Sequence, residues 1–158
     1  MVLHVIRHGK ALSQGEKDFD RALHPIGIRQ SLFLNEYFLE HSQSEFITYY
    51  STAKRTLQTM ELITQNLKST QVGQVSLYGA DFMTLFKFIE NSSIQQDLIL
   101  IAHNPGVSRL IEYLTGERFY CKTGTLTSIH FDIQNWAELS ANTGQILAQI
   151  RWNDEQVI

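Results

Sequence analysis

From Asp97 to Ala102 the chain reads DLILIA, an aspartate followed by five uninterrupted aliphatic residues, and it turns polar at once with His103-Asn104-Pro105. A bilayer crossing needs about 20 apolar residues, so this run is far too short for a membrane span. It also lacks the alternation of a strand with one wet face. A strand covered on both faces is what remains, as in the middle of a largely parallel sheet.

The surrounding pattern supplies the covers. Val2 to Ile6 is a first β-rich run, and Pro25, whose missing N–H costs nothing at a first turn, opens a helix over Pro25 to Glu40. Phe46 to Tyr50 predicts a second strand, and Leu57, Met60, Ile63 and Leu67 recur at helical spacing after it. Val75 to Tyr78 predicts a brief third strand, and Asp81 an N-cap to a helix with Phe82, Leu85, Phe86 and Ile89 on its apolar face. After the aliphatic run, Asn104 and Pro105 supply a cap and a first helical residue. Val107, Leu110, Ile111 and Leu114 then form one face, and Gly116 the stop. Thr125 to Asp132 and Gln145 to Trp152 alternate like exposed strands, predicting an antiparallel pair that closes the sheet. Strand and helix alternate over the first 115 residues, which predicts a three-layer α/β/α sandwich with a mostly parallel sheet and helices on both faces.

At 158 residues the sequence fits one domain, 1–158, able to bury roughly 70% of its unfolded surface. Thirteen Lys plus Arg against sixteen Asp plus Glu give a net charge of −3, which argues against a nucleic-acid partner bound by bulk charge. Any anion site must be local. The one cysteine, Cys121, has no internal partner and reads as a small buried apolar residue suited to a reducing compartment. Only six residues precede Arg7, too few for a secretory signal, so a soluble cytoplasmic protein with no membrane partner is expected.

Three polar motifs fall directly after strands: Arg7-His8-Gly9, Ser51-Thr52-Ala53-Lys54-Arg55-Thr56, and Ala102-His103-Asn104-Pro105. Open α/β sheets bind ligands outside the carboxyl ends of their strands, where helix N-termini also present unpaired N–H groups to anions. Arg-His-Gly alone is a weak signal. Three motifs at three strand ends bring two arginines and two histidines to one crevice.

These motifs resemble the histidine phosphatase superfamily, whose members carry Arg-His-Gly at the first strand, a second arginine after the next, and a late histidine. Within it the short chain, the segment Asp18 to Gly27 (DFDRALHPIG), Leu77-Tyr78-Gly79-Ala80, and Thr123-Gly124 followed by Trp136 to Leu139 are similar to the SixA-type phosphohistidine phosphatases. The resemblance implies a metal-independent, cofactor-free hydrolase with His8 as nucleophile.

Phosphoryl transfer depends on fixed positive donors and in-line placement of a nucleophile. Arg7 and Arg55 offer forked donors to the phosphate, and His8, neutral at one ring nitrogen, can attack phosphorus and become a transient phosphohistidine. Gly9 leaves room for backbone beside the phosphate. His103 is expected opposite, as a protonated donor to a phosphate oxygen; otherwise it is a buried imidazole bonded to backbone. Arg21 is either a third cation of the site or a surface partner of Asp18 or Asp20, and those two aspartates are either proton carriers or solvated loop residues. His4, His41 and His130 read as structural, and His24 as a poor cap for the helix it precedes or as a ring facing the pocket.

The mid-chain glutamate that many superfamily members use as general acid has no counterpart in Leu77 to Asp81. A phosphorylated imidazole needs such an acid least, so the expected partner is a phosphorylated protein carrying phosphohistidine. The alternatives are a phosphatase of small phosphate esters and a non-catalytic module that binds phosphoproteins.

Overall fold

The computed structural model describes residues 1–13 and 17–153, so three residues of the polar stretch before His24 lie outside the described part. Six strands form one sheet: β1 (Val2–Arg7), β2 (Phe46–Ser51), β3 (Ser69–Gln74), β4 (Asp97–Ala102), β5 (Thr125–His130) and β6 (Gln145–Arg151). Their order is β3-β2-β4-β1-β5-β6. The first four run parallel, and β5 pairs antiparallel with both β1 and β6. Helices α1 (Pro25–His41) and α2 (Lys54–Ile63) pack together, as do α3 (Phe82–Glu90) and α4 (Gly106–Thr115). The sandwich is therefore the three-layer, mostly parallel one expected.

Strand period two divides the aliphatic run between two cores. Leu98, Leu100 and Ala102 face the α3 and α4 side with Leu3, Val5, Leu110, Ile111 and Trp136. Ile99 and Ile101 face the α1 and α2 side with Ile6, Leu34, Phe38, Met60 and Ile63. All five aliphatic side chains of β4 are at most 1% exposed.

Several expected boundaries are corrected. The third strand is Ser69–Gln74, and Val75–Leu77 is a single 3-10 turn. β3 lies at the sheet edge and is held by its backbone ladder to β2, so its sequence STQVGQ carries no hydrophobic pattern to find. Leu67 lies beyond α2, which ends at Ile63, but still packs on the α1 and α2 core. Pro105 is the N-cap residue of α4 and not its first helical residue, while Asn104 Oδ1 accepts from the Ser108 N–H at 3.2 Å. β5 is not an exposed strand: it lies between β1 and β6 and is buried at Thr125 through Ile129.

Asp81 caps α3 as expected, accepting from the Thr84 N–H at 2.8 Å. Gly116 ends α4 in the left-handed region, with φ 76°. Among the described residues no helix is long and apolar enough to cross a membrane.

Leu100→Ala is expected to cost about 2–5 kcal/mol, because a fully packed site collapses poorly around a lost side chain. Gln71→Ala on the exposed edge strand should stay within about 0.5 kcal/mol of the parent. Urea denaturation of the two variants checks the contrast, and equal losses would contradict the assignment of β4 as the central strand.

Candidate active site

β4 lies between β1 and β2, so the carboxyl ends of three parallel strands meet at one edge of the sheet. Arg7 is opposite Ala102 in the register, and Tyr50 is opposite Ile101. This adjacency brings Arg7 and His8, Arg55 at the start of α2, and His103 into the wall of one cleft of about 530 Å³. Lys10, Arg21, Asp18, Tyr78 and Thr123 also line it.

The His8 ring is 6% exposed, with Nδ1 2.7 Å from the Gly9 carbonyl oxygen. A carbonyl only accepts, so the proton sits on Nδ1 and Nε2 carries the lone pair. Arg55 Nε donates to that Nε2 at 3.3 Å. Burial, reinforced by His103, Arg55 and Arg7 against the Gly9 bond, lowers the His8 pKa to about 3. The ring is neutral at neutral pH.

Arg55, 5% exposed, holds the cluster together. It donates to His103 Nδ1 at 3.3 Å, to the Asp18 carbonyl at 2.5 Å and to Asp18 Oδ2 at 3.0 Å. The His8 and His103 ring centroids are 5.0 Å apart. Arg7 donates to the Cys121 carbonyl at 2.8 Å, while its buried Nε has no hydrogen-bond partner among the described residues.

His103 departs from expectation in its protonation. Its Nδ1 accepts from Arg55, and its Nε2 donates to Ser51 Oγ at 2.7 Å. Burial first, then Arg55 and Arg7, lower its pKa to about 4 against the pull of Asp18, so the ring stands neutral. A charged imidazole there requires an anion beside it to offset the two guanidinium groups.

Gly9 also differs. It is not among the residues lining the cleft, and a Cβ there would stand 2.6 Å from the Gly27 carbonyl oxygen, so the missing side chain admits the start of α1. Arg21 lines the cleft, and its Nε lies 3.3 Å from Asp18 Oδ1, the ion pair expected of it. Asp18 stands over the site, and the Tyr78 hydroxyl, 2.6 Å away, together with Arg55 and Arg21, holds its carboxyl below the usual range. Asp20 is exposed and does not line the cleft. His24 caps α1, with Nδ1 accepting from the Ile26 N–H at 3.1 Å.

His4 bonds Ser128 at 2.8 Å, and His41 bonds the Tyr37 carbonyl at 2.9 Å. Cys121 is buried. Among the described residues no three His, Cys, Asp or Glu side chains cluster as a metal site requires.

Three supporting residues escaped the sequence reading. Ser51 fixes the His103 ring, and Tyr78 fixes Asp18. Thr59 Oγ1 accepts the Gly9 N–H at 3.1 Å and donates to the Arg55 carbonyl at 2.7 Å, tying the His8-Gly9 loop to α2. Thr59 lies four residues after Arg55, on the same helix face, and that spacing was the available signal. Tyr78 had none.

A protein-family model described as the histidine phosphatase superfamily (branch 1) matches residues 3–77. Among solved structures, a protein assigned as the phosphohistidine phosphatase SixA from Nakamurella multipartitia superposes with a TM-score of 0.82 at 19% identity, covering 94% of each chain. The protein histidine phosphatase SixA complexed with tungstate gives 0.80 at 21% identity, over 96% of this chain and 97% of that one. A protein assigned as an alpha-ribazole-5'-P phosphatase from Escherichia coli gives 0.66 at 18% identity, over 85% and 93%. No curated protein matches the chain in sequence. At these identities the structural likeness is one of fold. Together with the family match it bears out the resemblance read from the motifs.

Thr59→Val keeps the shape but strands the Gly9 N–H, and it should lower stability by about 1–3 kcal/mol in denaturant titration; an unchanged midpoint would mean that Thr59 is no tie. Burial also makes stability depend on pH. His4 has its pKa lowered to about 4, as has His103, and His8 to about 3, all from 6.5. The unfolded chain therefore takes up protons first as pH falls. Stability should be complete above about pH 6.5 and decline toward pH 4, at up to about 1.4 kcal/mol per pH unit for each ring. Unfolding midpoints at stepped pH measure this slope, and a flat profile would contradict two buried and one half-buried neutral imidazole.

Proposed function

We propose that this chain is a phosphatase of the histidine phosphatase superfamily that removes the phosphoryl group from phosphohistidine in a protein, with His8 as the group that receives it. The observation that carries this reading is the state of the His8 ring: Nδ1 is tied to the Gly9 carbonyl, the Nε2 lone pair faces Arg55, and burial keeps the ring unprotonated down to about pH 3. A neutral imidazole held in one orientation beside two guanidinium groups is suited to attack a phosphoryl group. The similarity to SixA-type proteins supports the substrate, and tungstate, which one of them binds, is a tetrahedral oxyanion like phosphate.

In this reading the substrate's phosphoryl oxygens take donors from Arg7, Arg55 and His103, with Arg21 at the margin. The phosphate displaces the Asp18 carboxylate from Arg55, since both anions compete for the same donors. Its charge raises the His103 pKa, so that ring becomes a charged donor once substrate is bound. Arg55 Nε turns from His8 to the phosphate, His8 Nε2 attacks phosphorus, the substrate P–N bond breaks, and its electron pair returns to the leaving imidazole nitrogen, which takes a proton from solvent. Water then attacks the phosphorus on His8, the P–Nε2 bond breaks, and inorganic phosphate departs.

The leaving nitrogen is basic enough to need no strong acid. Asp81, at the place where a general acid would be sought, is committed to capping α3. Asp18, which lines the cleft as Asp20 does not, is placed to carry a proton to or from it. No metal or other cofactor enters the scheme.

Mixing the protein with a phosphohistidine peptide and quenching in base should trap acid-labile phosphate on the chain. His8→Ala should carry no label and lose at least about a thousandfold in turnover, and a chelator should leave the parent rate unchanged. Faster hydrolysis of simple phosphate monoesters than of the peptide would overturn the preference for P–N bonds, and binding without labelling would leave only a phosphoprotein-binding module.

A further inference from the structure

Beside the phosphate cleft lies a second depression of about 370 Å³ that shares Arg7, Lys10 and Thr123 with it. Lys122 and Arg151 line its far side, and Tyr120 forms part of the rim. Sheet register sets this juxtaposition: Arg151, at the end of β6, pairs with Thr125, three residues after Lys122. Four cations and, among the described residues, no carboxylate line the depression, in a chain whose net charge is −3. Among the described residues Lys10, Lys122 and Arg151 form no ion pair, whereas Asp18 already answers Arg55 and Arg21 in the first cleft.

Positive charge gathered against the overall sign, with no ion-pair partner among the described residues and only the Thr123 carbonyl answering Arg151 Nε at 3.4 Å, attracts an anion from outside. The first cleft already holds enough donors for one phosphoryl group. The cations of the second therefore face anionic groups carried elsewhere on the same substrate. Tyr120 indicates what kind of substrate: it is 67% exposed, and the Arg7 guanidinium lies 5.7 Å from its ring centroid. An exposed aromatic braced by arginine offers a flat amphipathic surface of the sort that dominates protein–protein contacts, and it is larger than a small anion can use.

We propose that this basic groove docks acidic side chains flanking the phosphorylated residue of a protein substrate, so that Lys122 and Arg151 set specificity without touching the reacting atoms. The proposal rests on the phosphoprotein reading above. Attraction of this kind acts mainly on encounter and is screened by salt.

The test compares three substrates: free phosphohistidine, and two phosphohistidine peptides of equal length with acidic or with basic flanks. The parent protein should favour the acidic peptide in kcat/KM, and the advantage should shrink as salt is raised. Lys122→Glu combined with Arg151→Gln should lower kcat/KM for the acidic peptide by about tenfold, as a few exposed ion pairs would, and improve the basic one. Turnover of free phosphohistidine should not change. Lys122→Glu alone, at an exposed loop position, should shift the preference in the same direction, so a folding defect in the double variant would not hide the result. Equal rates on the two peptides, with free phosphohistidine still hydrolysed, would overturn the docking proposal alone. A loss of turnover on free phosphohistidine in Lys122→Glu would also overturn it, by placing that lysine in the phosphate site. Failure of the parent protein to hydrolyse any of the three would sink the functional reading instead.

Discussion

A guanidinium group carries five N–H donors and no acceptor, so burying one is tolerable only where oxygens or bare nitrogens answer it. Arg55, at 5% exposure, is answered by His8 Nε2, His103 Nδ1 and both the carbonyl and the carboxylate of Asp18. These partners come from three chain segments. Arg55 thereby sets the tautomer of two imidazoles, because each must turn a bare nitrogen toward it. The proton of His8 is forced onto Nδ1 and that of His103 onto Nε2, where Gly9 and Ser51 receive them.

Burial then decides charge. Both rings lie below their ordinary pKa chiefly because the folded chain withholds water from the imidazolium form. Two buried cationic rings beside two arginines would be untenable. With the rings neutral, Arg7 and Arg55 supply the positive field and Asp18 partly offsets it from above, held by Tyr78 and Arg21 as well. Among the described residues Asp18 gives Arg55 and Arg21 a counter-charge, whereas Arg7 and Lys10 of the same cleft have none.

Much of this was legible in the chain. The aliphatic run announced β4, and strand-then-helix spacing placed Arg7, His8, Arg55 and His103 at strand ends where a crevice forms. The parts that escaped share a physical cause. β3 is held by its backbone ladder to β2 and leaves no side-chain pattern, and buried β5 resembled a wet strand because Thr127 and Ser128 are polar. Gly9 was expected to leave room for backbone beside the phosphate, and the space it leaves is taken by Gly27 of α1, a contact between segments whose packing no local pattern reports. Tyr78 reaches Asp18 across sixty residues of sequence for the same reason.

By itself the sequence determined the kinds of element, the depth of the central strand and the chemical identity of the groups gathered at its end, because periodicity and side-chain type are local properties. Only the tertiary structure decided the protonation of the histidines, the partner of each guanidinium and the second basic groove beside the first. Those depend on the water that packing excludes and on distances between residues far apart in the chain, neither of which is written at any single position.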